Sequence, residues 1–233
     1  MRQRRGLHLV PLLTLLVMTG PVLAGLLGTL LPAFGVFPAT GVMRPGVEPF
    51  RDLMAWPGLW PAVRLSLVTG LVSALVSLTI VALILAALHG TRGFVLLRRL
   101  LSPLLSVPHA AAAFGLAFLI MPSGWIVRVI SPWLTGWDRP PDLLIVQDPA
   151  GLALIAGLVV KEVPFLLLMA IAALGQANPT QSITVARSLG YSRESAWLLA
   201  VFPRVYAQIR LPVYVVLAFS MSVVDVAVIL GPN

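Results

Sequence analysis

No cysteine occurs anywhere in this sequence, so a disulfide framework, a thiolate metal site and a cysteine nucleophile are all excluded. Charge is nearly as scarce. Charged residues make up 10% of the chain, against roughly 25% in a soluble globular protein, and Lys161 is the sole lysine. A P-loop needs Gly-Lys followed by Ser or Thr, whereas Lys161 follows Val160, so the chain has no such means of binding ATP by itself. His8, His89 and His109 form no His-Glu-x-x-His and have no metal-like spacing, which makes them packing residues and leaves no metal or cofactor to expect. What fills the chain instead is apolar, 59% of 233 residues. So little polar surface cannot face water, and the other solvent is lipid, at about 20 apolar residues per helical span. An all-α, polytopic transmembrane helical bundle follows, a single domain over residues 1–233 with no room for a separate soluble one.

Five apolar segments are legible, at about 7–31, 62–88, 100–121, 149–174 and 211–230. Pro11, Pro21, Pro108 and Pro164 fall inside them and are tolerable where neighbouring helices satisfy the freed backbone groups. Arg2, Arg4 and Arg5 ahead of an apolar run, with Val22-Leu23-Ala24 as a cleavage-like site, would also suit a signal peptide; the apolar character continues through Leu31, which favours an uncleaved first span. With the amino terminus in the cytoplasm, the inner side carries Arg2, Arg4, Arg5, Arg92, Arg98, Arg99, Arg187, Arg193, Arg204 and Arg210. The outer loops then carry only Arg44, Arg51, Arg128 and Arg139. That bias is the positive-inside rule, and Trp56, Trp60, Trp125, Trp133 and Trp137 in the outer loops suit headgroup level. The net charge of +8 is thus topological; arginines spread between apolar runs, without aromatic interleaving, do not form a nucleic-acid surface. Five spans leave the carboxyl end outside, where Asn233 follows Gly231-Pro232 directly; the chain is either a five-span protein or a piece of a longer one.

The inner loop, about 176–210, is the most informative stretch. Asn178 suits a helix N-cap, Pro179 the first helical position, and Gln181 a capping box. That helix would end near Leu189 at Gly190, the residue type that accepts a left-handed conformation. Ser192 caps a second helix with Glu194 in its first turn, and Pro203 bends or ends it. A helix–glycine–helix elbow with Val185, Leu189, Trp197 and Phe202 on one side and Arg187, Arg193 and Arg204 on the other could dock a protein or lie on anionic lipid.

The run Val185-Ala186-Arg187-Ser188-Leu189-Gly190-Tyr191-Ser192, with Pro203 thirteen residues after Gly190, resembles the EAA loop of ABC importer permeases. The family pattern is Glu-Ala-Ala, three residues, Gly, nine residues, then Ile-x-Leu-Pro. Ala186, Gly190 and Pro203 match; Thr184 replaces Glu, Val185 replaces Ala, Ala200 replaces Ile and Phe202 replaces Leu. Arg64-Leu65-Ser66-Leu67, Leu101-Ser102-Pro103 and the stretch from Asp225 to Gly231-Pro232 are similar to the same permeases, the nearest kinds being those associated with thiamine, iron(III), sulfate or polyamine uptake. The resemblance implies a MetI-like type I permease of the bacterial inner membrane, with a sixth span beyond residue 233. It also implies partners: ABC ATPase subunits, a second permease half (identical, similar or fused) and an outer solute-binding protein. Thr184, Val185, Ala186, Arg187, Ser188, Leu189, Gly190, Tyr191, Arg193 and Pro203 would then form the ATPase-coupling loop, and hydrolysis would reside on the partner chain.

Lys161 and Glu162 fall inside the fourth segment, where each charge costs about 2.5–3.5 kcal/mol on insertion scales. Neighbours on a helix point about 100° apart, so each seeks its own partner. They line a translocation pathway, together with Asp225, or they pair between helices, Lys161 with Asp225. An ion-coupled secondary carrier using Glu162, Lys161 and Asp225 is the competing function, although it would favour inverted repeats, and none is visible. A membrane-embedded enzyme would need polar residues clustered at one membrane face, which the sequence lacks.

Overall fold

A computed structural model describes residues 3–232. Arg2 and Asn233 lie outside the described residues, as do the side chains of Arg4, Arg5 and His8. The chain divides into two compact units, Met1–Ala62 and Val63–Asn233.

In the first unit, α1 (Gln3–Ala33) keeps Pro11 and Pro21 within one helix. Thr14, Thr19 and Thr29 donate their hydroxyls to the carbonyls of Val10, Leu15 and Gly25, four residues back, so these three hydroxyl protons are satisfied within the helix. A miniature antiparallel hairpin follows, β1 (Val36–Phe37) and β2 (Val42–Met43), closed by a 3₁₀ turn at Pro38–Thr40. Two residues per strand carry no period, so sequence offered no sign of it. The short α2 (Glu48–Ala55) sets Phe50 against Phe34 with ring centroids 5.3 Å apart.

The second unit is built around α7. The helices are α3 (Leu59–Leu88), α4 (Arg92–Ser106), α5 (His109–Ile120), α6 (Trp125–Ile130), α7 (Leu152–Ala177), α8 (Pro179–Ser188), α9 (Arg193–Ala196), α10 (Phe202–Ser222) and α11 (Asp225–Leu230), with a π-helical turn at Trp197–Val201 between α9 and α10. Helix α7 packs against α4, α5, α10 and α11. One apolar cluster joins Val81 and Leu85 of α3, Leu101 of α4, Leu166 and Ala170 of α7, and Val205 and Ile209 of α10. A second joins Ala113 and Ala117 of α5 with Leu154 and Leu158 of α7 and Val226 and Leu230 of α11. In lipid no hydrophobic force pulls helices together, so close approach of small residues does much of the work. At Gly157 a Cβ would lie 2.3 Å from Leu230 Cδ1, and at Gly70 it would lie 2.6 Å from Met221 Cγ and 3.1 Å from the Met221 nitrogen. Gly70→Val should therefore separate α3 from α10 and lower the detergent melting temperature, because the obstruction includes backbone; an unchanged melt would show that the interface can give way.

Among the described residues, five stretches are long and apolar enough to cross a membrane: Val10–Ala33, Leu59–Leu88, His109–Ile130, Leu152–Ala177 and Arg193–Ser222. Two differ from the sequence expectation. A continuous span over 100–121 is replaced by α4 and α5 with a break at Val107-Pro108: proline disfavours helix in the residue before it and gives no N–H, so here Pro108 ends a helix instead of sitting within one. The last span, expected at 211–230, begins much earlier. Pro203 does not end the helix that starts at Arg193; the turn just before it widens to π, and the run continues to Ser222 before breaking at Val223-Val224. The connection between the fourth and fifth stretches is correspondingly shorter than the 176–210 expected from sequence.

Asp148, just ahead of α7, is buried and accepts the backbone N–H groups of Leu152 and Ala153, both at 2.8 Å. It caps α7 from across the left-handed Gly151 (φ +73°). Asp148→Ala should cost about 1 kcal/mol, the usual worth of an N-terminal cap, measurable as a lowered midpoint in detergent unfolding.

Candidate functional site

Two helix breaks meet beside the charged pair of α7. Irregular backbone at membrane depth is tolerated only where it is buried in protein or lines a cavity, and both conditions occur here. At the α4–α5 break, the Lys161 ammonium donates to the carbonyls of Leu104 (3.0 Å), Leu105 (3.5 Å) and Val107 (2.6 Å). These are the last carbonyls of α4, left without helical donors and carrying the negative end of its dipole. At the α10–α11 break, Ser66 of α3 donates its hydroxyl to the Met221 carbonyl. Each break thus has its own donor.

Glu162 turns the other way. Its carboxylate accepts hydroxyl bonds from Ser73 (3.0 Å) and Ser77 (2.7 Å) of α3 and from Ser220 of α10. Ser73, Ser77, Ser220 and Glu162 are all buried, so one side chain clamps three helices. The partner of each charge is therefore on another helix, as expected, but the interhelical Lys161–Asp225 pair is not what forms: Lys161 goes to carbonyls, and Asp225 lies exposed in the first turn of α11. Between the breaks lies a half-open cavity of about 320 Å³ lined by Leu105, His109, Lys161, Glu162, Phe165 and Phe219 among others. Its walls are mostly apolar, with the His109 ring against Phe219 at 4.9 Å between centroids.

The second constellation is the elbow. Helix α8 starts with Pro179 as expected, but the Asn178 side chain makes no cap; its backbone is left-handed (φ 45°) and ends α7, and no Gln181 capping box forms. Gly190 is left-handed too, at φ +91°, and the Ser192 hydroxyl accepts the Ser195 N–H at 3.1 Å. Helix, glycine turn and helix are all present. Thr184 and Ser188 fold their hydroxyls onto the Thr180 and Val185 carbonyls of the same helix, so their protons are used within α8 while both residues stay exposed. Arg204 donates to the Ser182 hydroxyl at 2.9 Å, tying α8 to α10. Arg187 is exposed. Arg193 is half-buried and donates to the His89 carbonyl at the end of α3, so it is engaged within the chain. Between α8 and the π-helical turn lies a concavity of about 530 Å³, lined by Val185, Ala186, Leu189, Tyr191, Leu199 and Arg204 among others. Leu189 is 73% and Leu199 65% exposed on it. Pro203 is exposed at the start of α10.

His89 sits at this junction, its ring edge-on to Phe94 at 5.5 Å. Burial, and then the neighbouring Arg193 charge, hold its pKa below the ordinary 6.5. Below pH 6.5 the unfolded chain takes up a proton that the folded chain refuses, so stability falls as the pH drops through that window. The melting temperature should decline between pH 7.5 and pH 5.5, and His89→Asn should flatten the decline; an equal decline in both would place its cause elsewhere.

Sequence reasoning missed the three serines, the carbonyl cradle of Lys161 and the His89 contact. A signal for the first existed: Thr69, Ser73 and Ser77 recur at intervals of four within an otherwise apolar segment, one polar stripe on one helix face. The other two depend on backbone groups, which no residue type reveals.

Residues of this chain are 34% identical over 186 positions to the inner membrane ABC transporter permease protein YnjC of Escherichia coli (strain K12). The match takes in 79% of this chain and 34% of that protein, so the chain spans about a third of the length of its curated relative. No family model matches it.

Proposed function

We propose, from the 34% identity over 186 positions to an inner membrane ABC transporter permease protein, that this chain is the membrane-spanning permease portion of an ATP-driven importer of MetI-like type I kind, coupled to a separate ATPase through the elbow over α8 and α9. The observation that carries this reading is the elbow's uncovered apolar rim. Val185, Leu189, Tyr191 and Leu199 are exposed around the concavity, with Arg187 beside them, on a frame fixed by a left-handed glycine and two hydrogen-bonded arginines. A rigid elbow offering an apolar patch suits insertion into another protein's cleft better than a solvated connection does. In this reading the amino terminus is cytoplasmic, the inner membrane is bacterial, and a second permease half and an outer solute-binding protein complete the assembly. The cavity beside Lys161, Glu162 and His109 forms part of the translocation pathway, and Asp225, exposed in the first turn of α11, is its third charge.

An ion-coupled carrier would require Glu162 to exchange partners during transport. Three hydroxyls on two other helices hold the carboxylate in place, which favours the ATP-driven reading. The test is recovery of a P-loop ATPase from detergent-solubilised membranes by the tagged full-length chain, compared with the double variant Val185→Asp/Leu189→Asp. Recovery by the first and loss by the second are expected. Equal recovery would take the elbow out of the interface, and no ATPase with either would remove the ATP-driven reading.

A further inference from the structure

One helix joins the two constellations. Helix α4 spans about 22 Å, at 1.5 Å per residue over its 15 residues, and each of its ends is tied by a single cation. At its start, His89 and the left-handed Gly90 (φ +75°) form a tight turn in which the Thr91 hydroxyl bonds the Leu88 carbonyl at 2.7 Å. The His89 ring packs on Phe94 of α4, and the His89 carbonyl takes the Arg193 guanidinium from the first position of α9. At its far end, the Leu104, Leu105 and Val107 carbonyls take Lys161 at the cavity wall. Between these ties, Phe94, Leu97 and Leu101 pack into the core with α7 and α10.

We propose that α4 is a strut between the inner-face elbow and the membrane cavity, with Arg193 as the positioning residue at the elbow end and Lys161 as the positioning residue at the cavity end. A displacement of the α8–α9 elbow moves the His89–Thr91 turn through Arg193. The helix carries that movement as a rigid body, because an α-helix resists compression along its hydrogen bonds. Lys161 then either follows the α4 carbonyls or releases them, and the α4–α5 break, where Pro108 supplies no N–H and the Val107 carbonyl is held by Lys161, is the joint that opens. Lys161 suits this role better than a pore ligand would be suited: all three bonds go to backbone, so its charge is directed to the break and away from a solute. The inference rests on the permease reading only for what pushes the elbow; the mechanical connection itself belongs to this chain.

The absence of cysteine from these 233 residues leaves no native thiol among them to compete with a reporter. Single-cysteine reporters are placed at Val215, on the cavity wall, and at Val95, on the exposed face of α4 near its start, in the full-length chain in lipid nanodiscs. Labelling by a small water-soluble methanethiosulfonate is timed in each. The decisive result is cross-end: Arg193→Met should change the labelling rate at position 215 by about threefold or more, and Lys161→Met should do so at position 95, the range expected of residues along a coupled path. Lys161→Arg, which keeps the donors, should restore both rates toward those of the unsubstituted chain. If each substitution changes only the reporter at its own end, the strut is overturned and both cations are local braces. Should Lys161→Met fail to accumulate, the effect of Arg193→Met at position 215 decides alone. The pull-down of an ATPase is independent of these rates, so a strut without an ATPase, or an ATPase without a strut, separates this inference from the function proposed above.

Discussion

Gly190→Val is expected to weaken recovery of the proposed ATPase partner about tenfold while leaving the chain inserted in the membrane. Its backbone stands at φ +91°, and a Cβ there would meet nothing within 4 Å, so the penalty is purely conformational. A non-glycine residue in the left-handed region costs about 1–2 kcal/mol, and β-branching makes it a genuine outlier. The cheapest response is for Gly190 to leave that conformation, which swings α8 away from α9 and dismantles the apolar rim. ATPase recovery in the pull-down should fall about tenfold, the equivalent of about 1.4 kcal/mol, with Gly190→Asn least affected, because asparagine tolerates this region, and Gly190→Ala between the two. Membrane abundance should be the same for all three. Equal recovery across the series would mean that the angle of the elbow is unimportant to docking.

The second large effect is at Glu162. Three buried hydroxyls converge on its carboxylate, and a hydrogen bond to a charged group contributes about 1.5–3 kcal/mol. The three are not equally exposed to loss. Ser73 and Ser220 also reach the Gly70 and Val216 carbonyls of their own helices, at 3.1 and 2.8 Å, and can fall back on these. Ser77 has Glu162 alone among the hydrogen bonds of the described residues. Glu162→Leu should therefore be destabilising by about 3 kcal/mol, chiefly through Ser77 and the loss of the three-helix clamp. Glu162→Gln keeps an acceptor for Ser73 and Ser220, while Ser77 can turn to accept from its amide, so the folded chain should persist with a smaller drop. Leu168→Ala, at an exposed position of α7, is the reference and should change little. Thermal unfolding in detergent ranks the three variants, and in a transport assay of the proposed assembly Glu162→Gln should slow uptake more than Leu168→Ala does. A Gln variant as unstable as the Leu variant would show that the negative charge, and not the acceptor geometry, holds the helices.

The unequal legibility of these features has a physical cause. Gly190 and Ser192 announce themselves because the conformations they serve are local: a left-handed residue and an N-cap depend on the chain within a few residues. Apolar length likewise declares a span, since the bilayer sets it. Pro108 and Pro203 look alike in sequence, each a proline within or near an apolar helix, yet one ends α4 and the other is absorbed by a widened turn. The difference lies in what stands ready to receive the freed carbonyls, and Lys161 on α7, distant in sequence, is the answer at Pro108. Glu162 could be singled out as a costly buried charge, but its partners could not be named, because serine is an ordinary residue until a carboxylate on another helix faces it. The hairpin at Val36–Met43 was invisible because four paired residues generate no periodicity.

The widened turn at Trp197–Val201 also bears on how the chain can vary in length. A π turn holds one residue more than the α turn that would otherwise occupy the same stretch. Dropping a residue from it relaxes the helix to regular geometry while Val205, Ile209, Val213 and Val216 keep facing the core. The same loss a turn or two later would rotate every following side chain by about 100° and carry Ser220 away from Glu162. The Trp197 indole nitrogen is buried in the same turn with no acceptor among the described residues. In this chain, then, the connection between elbow and last long helix is the place where descendants can gain or lose a residue without losing the alignment of the faces beyond it.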